Sequence, residues 1–190
     1  MNIDNTEAKC NLQALHENPY PGRGLVLGRD ESGRYLVQVY WIMGRSDNIQ
    51  NRRFNSDPTD NRIFTEAVDP TKVEHPELII YNAMREIHNH FVVSNGHQTD
   101  AIIASIRAGG GFIPALQHYT YEPDAPNHTP RISGMWYFPG EPVAAISILR
   151  KSLWGNACER QFFCYDAIPN GYGFGITTYR SDGKPLPSFR

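Results

Sequence analysis

Apolar and polar positions follow a period of two through most of this chain, broken by short polar turns. Leu25-Val26-Leu27 and residues 35–43 read as two strands joined by the turn Asp30-Glu31-Ser32-Gly33, a β-hairpin. In the second strand Tyr35, Val37 and Val39 alternate with Leu36, Gln38 and Tyr40. Both sets are largely apolar, which predicts a strand covered on both faces. The stretch 77–100, ELIIYNAMREIHNHFVVSNGHQTD, predicts a strand over 78–81, a polar patch ending in Asn89 and His90, and a second strand over 91–93. It then turns through Ser94-Asn95-Gly96 into a helix marked by Ala101, Ile102, Ala104, Ser105 and Ile106. Thr99 or Asp100 is the expected N-cap, and Gly109-Gly110-Gly111 the stop. Backbone N–H groups at such a helix start favour an anionic ligand, although an ordinary capped strand–turn–helix joint looks the same.

Further along, residues 63–68 read as a short strand and 112–119 as a short helix. Residues 132–138 and 143–149 form a hairpin around Pro139-Gly140-Glu141-Pro142, and 161–167 and 172–179 a last strand pair around Pro169-Asn170-Gly171. Gly171, Gly173 and Gly175 alternate within that last strand and predict close backbone approach. A strand-rich count with few helices predicts an α+β fold.

The length of 190 residues suits one domain, 19–190, preceded by an arm over 1–18 that is loose or forms a short helix and closes at Pro19 and Pro21. A net charge of −2 argues against a nucleic-acid or anionic-membrane partner. The three cysteines, Cys10, Cys158 and Cys164, lack CxxC spacing, and their odd number argues against a secreted disulfide framework. Neither a signal-peptide pattern nor a spanning-length apolar run is present, so a cytoplasmic protein is expected.

Neither a metal nor a cofactor is expected. His88 and His90 share a strand face, but a third ligand is not evident. No GxGxxG opens a helix, and there is no P-loop or GxSxG elbow. Cys10 could act as a nucleophile only if the chain were processed before it; otherwise it is an ordinary cysteine in an arm. Arg45, Arg52, Arg53 and Arg62 fall in a polar segment, 44–62, that reads either as a solvated loop or as a clamp for phosphate or carboxylate. The remaining Arg, Tyr, Asn and Glu residues at loops and strand ends suit a site that binds a polar anion and does acid–base chemistry unaided by a cofactor.

The runs YPGRGLVLGR (20–29), GRSDNIQNRRF (44–54), YNAMR (81–85), VVSNGHQTD (92–100), YEPDAPNHTPRI (121–132) and GYGFGITTY (171–179) together resemble the archaeal-type IMP cyclohydrolase family, in order as well as in content. The resemblance implies an αββα four-layer sandwich of the N-terminal-nucleophile-hydrolase type, without the N-terminal nucleophile. It implies ring closure of 5-formamidoimidazole-4-carboxamide ribotide to IMP with loss of water, and the reverse hydrolysis. Catalytic roles fall by this resemblance on Arg52, Tyr81 and Glu122. Substrate-binding roles fall on Arg23, Arg45, Asn82, Asn95, Gly96, Thr99, Asp100 and Arg131. The implied partner is a small purine ribotide, and a homo-oligomer is left open. The N-terminal arm, the aromatic strand QVYWIMG and the pair Arg52-Arg53 depart from the family pattern and leave room for another ribotide. The competing readings are a nucleotide-binding or structural relative without the chemistry, and an amide hydrolase using a processed Cys10.

Overall fold

The computed structural model describes residues 5–189. In chain order its first half runs α1 (Thr6–Glu17), β1 (Gly24–Arg29), β2 (Leu36–Trp41), α2 (Asp47–Gln50), β3 (Arg52–Asp57), β4 (Arg62–Ala67), α3 (Pro76–Ile79) and β5 (Asn82–Ile87). The second half runs β6 (His90–Ser94), α4 (Gln98–Arg107), α5 (Phe112–Leu116), β7 (Arg131–Tyr137), β8 (Val143–Lys151), β9 (Cys158–Tyr165) and β10 (Gly173–Thr177). Residues 1–4 of the expected arm lie outside the described residues. Within the remainder of that arm, α1 buries none of its side chains.

The strands form two antiparallel sheets, one of three strands in the order β10-β1-β2 and one of seven strands running β3 to β9 in sequence order. This is the α+β class that the strand-rich pattern predicts. The sheets face each other across a core in which Leu25, Leu27 and Tyr40 from the small sheet meet Val93, Ile132, Trp136, Ile146 and Ile148 from the large one. A second core lies on the far side of the large sheet, where Ile102, Ile103 and Ile106 of α4 and Phe112 and Leu116 of α5 cover Val92, Met135 and Leu149. Gly134 lets the small sheet pack closely against the large one. A Cβ there would meet Leu25 and Val93 at 3.1 Å.

Several expectations hold at the level of residues. Asp30 Oδ1 accepts from the Tyr35 N–H at 2.8 Å to close the β1–β2 turn, with Gly33 at φ +71°. Gly109, at φ +78°, ends α4. Cβ atoms at Gly173 and Gly175 would sit 3.1 Å from the Leu27 carbonyl oxygen and 3.0 Å from that of Leu25, which is the close approach their alternation predicts.

Other expectations are corrected. Residues 78–81 are not a strand: Pro76 at the first helical position nucleates α3, and only Ile79 of that helix is buried. The strand is the polar run Asn82–Ile87, joined to β6 through His88 and Asn89, both at positive φ (44° and 61°), as a tight hairpin needs. Segment 44–62 is not one loop, because it contains α2 and β3. Neither Thr99 nor Asp100 caps α4; both lie inside its first turn, after His97. Strand β2 is covered on one face only. Tyr40 points into the core, while Val37 and Val39 on the other face are 37% and 43% exposed. Among the described residues no helix is long and apolar enough to cross a membrane.

Candidate active site

Five polar side chains converge at one end of the space between the sheets. Arg23 directly precedes β1, Tyr40 ends the inward row of β2, and Arg52 opens β3. Tyr81 directly precedes β5, and Glu122 enters from the Pro-rich loop before β7. Arg23 and Glu122 are 6% and 2% exposed, and Arg23 Nη1 donates to Glu122 Oε1 at 2.5 Å. Arg131 Nη1 lies 3.8 Å from the same oxygen. Burial alone would lower the Arg23 pKa. The charge of Glu122, with Tyr81 and Tyr40 beside it, overcomes that and holds the guanidinium firmly charged.

The hydroxyls of Tyr40 and Tyr81 are 2.7 Å apart, both rings being buried. Burial, reinforced by Tyr81, drives the Tyr40 pKa well above the ordinary phenol value. Arg52 is the odd member. Its Nε, Nη1 and Nη2 are all buried and none meets a hydrogen-bond acceptor. Desolvation lowers its pKa, and Arg23 adds repulsion, against opposing contributions from Tyr81, Tyr40 and Glu122. A guanidinium carries five donors and no acceptor, so three buried, unpartnered nitrogens form a socket for an oxygen-rich group. Beside Arg52 opens a cleft of about 370 Å³, walled by Ile42, Met43, Ile49, Arg53 and Phe54. The Phe54 ring stands edge-on to Tyr40 with centroids 5.7 Å apart.

The loop that delivers Glu122 is tightly held. The Glu122 N–H donates to the Thr129 carbonyl at 2.9 Å, and Asp124 Oδ1 accepts from the Thr129 N–H at 2.7 Å. Thr129 Oγ1 also bonds Asp124 Oδ2 and, at 2.6 Å, the Tyr179 hydroxyl. Asn95 ties the same loop to β7: its Nδ2 donates to the Pro130 carbonyl, while its Oδ1 accepts from the Ile132 N–H and from Gln98 Nε2. Gln98 Oε1 in turn accepts from Arg131 at 3.0 Å. Gly96 leaves room for that arginine, since a Cβ there would come within 2.5 Å of Arg131 Nη1.

The structure therefore gathers Arg23, Arg52, Tyr81, Glu122 and Arg131, with Asn95 and Gly96 supporting them from behind. Other expected residues stand apart. Asn82 points to the opposite face of the large sheet and donates to Asp100 Oδ1 at 2.8 Å, where Arg85 also reaches Asp100. Thr99 is buried with its hydroxyl against that of Ser94. Arg45 lies over the Tyr20 ring and bonds Asp182 and the Gly183 carbonyl of the C-terminal tail. Cys10 is exposed on α1. Tyr40 is the residue that pattern reading treats as core. A signal was available, since a tyrosine on an inward row needs a partner for its hydroxyl.

The sequence matches the family described as IMP cyclohydrolase-like protein over residues 20–189, and the chain belongs to that family. It is 35% identical over 120 residues to a protein of Methanothrix thermoacetophila named IMP cyclohydrolase, covering 61% of this chain and 57% of that protein. It is 32% identical over 118 residues to one of the same name from Methanopyrus kandleri, covering 60% and 57%. The matched segment thus spans little more than half the length of these curated relatives.

Proposed function

We propose that the protein is an IMP cyclohydrolase, closing 5-formamidoimidazole-4-carboxamide ribotide to IMP in purine synthesis and binding that ribotide between its sheets. The carrying observation is the buried, unpartnered guanidinium of Arg52 beside Tyr81 and the Arg23–Glu122 pair. The reaction needs an acceptor for one amide proton and donors for the formyl oxygen. In the first step the carboxamide nitrogen attacks the formyl carbon. Glu122 takes one nitrogen-bound proton, Tyr81 gives its proton to the formyl oxygen, and Arg52 hydrogen-bonds that oxygen as charge builds. In the second step the carbinol oxygen leaves as water with the proton from Glu122. The proton on the former formamide nitrogen then returns to Tyr81, which restores both residues and leaves IMP.

We also read the two facing sheets as the central layers of an αββα, N-terminal-nucleophile-hydrolase-like fold. Helices α4 and α5 supply one outer layer, and the exposed Val37 and Val39 mark the face that a second would cover. The test of the functional reading is to incubate purified protein with the formylated ribotide and follow IMP by its absorbance. IMP release that falls by about 10² or more in Tyr81→Phe supports the assignment. A folded protein that binds the ribotide without releasing IMP overturns it in favour of a binding relative.

A further inference from the structure

The polar groups between the sheets are unbalanced in a way that the acid–base scheme does not use. Among the described residues, the Tyr40 hydroxyl has one hydrogen-bond partner, the Tyr81 hydroxyl, and the reverse also holds. Two phenols carry two protons. One lies in the bond between them, and the other has no protein acceptor. Arg52 adds three nitrogens in the same state. A buried donor without an acceptor is costly, so several at one place define a socket for an oxygen that becomes negative.

The direction of the Tyr–Tyr bond decides which phenol faces that socket. Tyr40 is hemmed in by the edge of Phe54, and burial keeps its proton bound well past the ordinary phenol range. Tyr81 stands at the end of a strand with His97 edge-on to its ring, centroids 6.4 Å apart. The remaining charged groups around the pair are Arg23, Arg52 and Glu122.

We infer that Tyr40 is a positioning residue: its hydroxyl donates to the Tyr81 oxygen and so turns the Tyr81 proton outward, beside the Arg52 guanidinium, toward the reacting oxygen of the substrate. The pair and Arg52 together form an oxyanion socket. The same Tyr40 donor holds the Tyr81 oxygen when it gives up its proton and supports its return. This inference rests on the cyclohydrolase reading for its chemistry, though not for its geometry.

Tyr40→Phe removes one oxygen and keeps the ring that Phe54 touches, so the fold survives. The expected kinetic result is a fall in kcat of at least about tenfold with KM within about twofold, because the contact matters as charge develops. The double variant Tyr40→Phe/Tyr81→Phe falls little further than Tyr81→Phe alone, since the two hydroxyls act as one unit. A second readout needs no turnover. With 3-fluorotyrosine at position 81, the fluorine resonance reports hydrogen bonding at that phenol's oxygen, and Tyr40→Phe shifts it through loss of the donor. An unchanged fluorine resonance overturns the inference even if kcat falls, because the effect is then merely structural. A shifted resonance with unchanged kcat overturns the positioning role as well. If the wild-type protein does not close the ring, the cyclohydrolase reading fails by itself, and the fluorine resonance alone still decides the hydrogen bond.

Discussion

Arg52 and Glu122 have different reasons to be buried, and that difference sets what their substitution does. Arg52 has no protein partner, so Arg52→Ala removes donors without orphaning a neighbour. Turnover should fall by at least about tenfold, about 1.4 kcal/mol, with the melting temperature nearly unchanged. Arg52→Lys should restore little, because a point charge does not reproduce the guanidinium fork. Wild-type kinetics in Arg52→Ala would take the residue out of the site. Glu122 is instead half of a buried ion pair. Glu122→Gln leaves the Arg23 charge without its counter-charge, a loss on the order of 3–5 kcal/mol for a broken buried pair. That variant should melt measurably lower as well as lose activity, since Arg131 also loses the carboxylate it faces, and calorimetry would show it; an unshifted melt would mean that neither arginine depends on the Glu122 charge in the folded protein. Burial of Glu122 was not legible from its Pro-rich surroundings, where a solvated carboxylate is the ordinary expectation. It depends on Tyr179 and Asn95 tying the loop inward through Thr129 and Pro130, contacts that span 50 and 35 residues of sequence.

At the scale of elements, period-two alternation identified β1, β2, β7 and β8 because their inward rows are mostly apolar, with Gln38 of β2 an exception. It failed at β5, whose outward face carries Asn82 and Arg85 in a charged network with Arg62, Asp60 and Asp100. A register shift opposite Ile63 and Phe64 breaks the alternation further, so the apolar run just before the strand looked more strand-like than the strand itself. The glycine stop after α4 was legible because left-handed backbone has few tenants. Only the first of the three glycines needs that conformation: Gly109 has φ +78°, and nothing lies within 4 Å of a Cβ built there or at Gly111. Gly109→Ala should therefore lower stability by about 1 kcal/mol through backbone strain alone. Gly111→Ala, at φ −165°, should cost almost nothing. Urea denaturation of both variants checks the contrast, and equal effects would mean that the α4–α5 link is not held as described.

The whole molecule carries its polar centre inside the sandwich, and that placement gives stability a distinct alkaline limb. Tyr40 and Tyr179 are nearly inaccessible, at 8% and 4% exposure. Both have raised pKa values, first because burial disfavours the phenolate; Tyr81 adds to this at Tyr40, and at Tyr179 the Thr129 hydrogen bond opposes it only partly. In the unfolded chain a phenol loses its proton at about pH 10. Above that pH the unfolded state sheds these two protons while the folded state keeps them, and the partly buried Tyr165, also pushed up by burial, adds to the difference; the folded state binds more protons and stability falls as pH rises. While both remain protonated in the fold, these two contribute a slope of about 2.7 kcal/mol per pH unit, from about 1.36 for each group. Cys158, whose thiol is also pushed up first by burial, starts a weaker decline at about pH 8.5. Urea titrations at successive pH values from 9 to 11 read this slope directly. Tyr179→Phe loses the Thr129 hydrogen bond and is less stable at neutral pH, yet its slope above pH 10 should be shallower than that of the wild type by about 1.4 kcal/mol per pH unit. Tyr40→Phe should lower the slope by the same amount. A stability that stays flat through pH 10 to 11 would mean that these phenols ionise in the folded protein as freely as in the unfolded chain, and that the space between the sheets is wet.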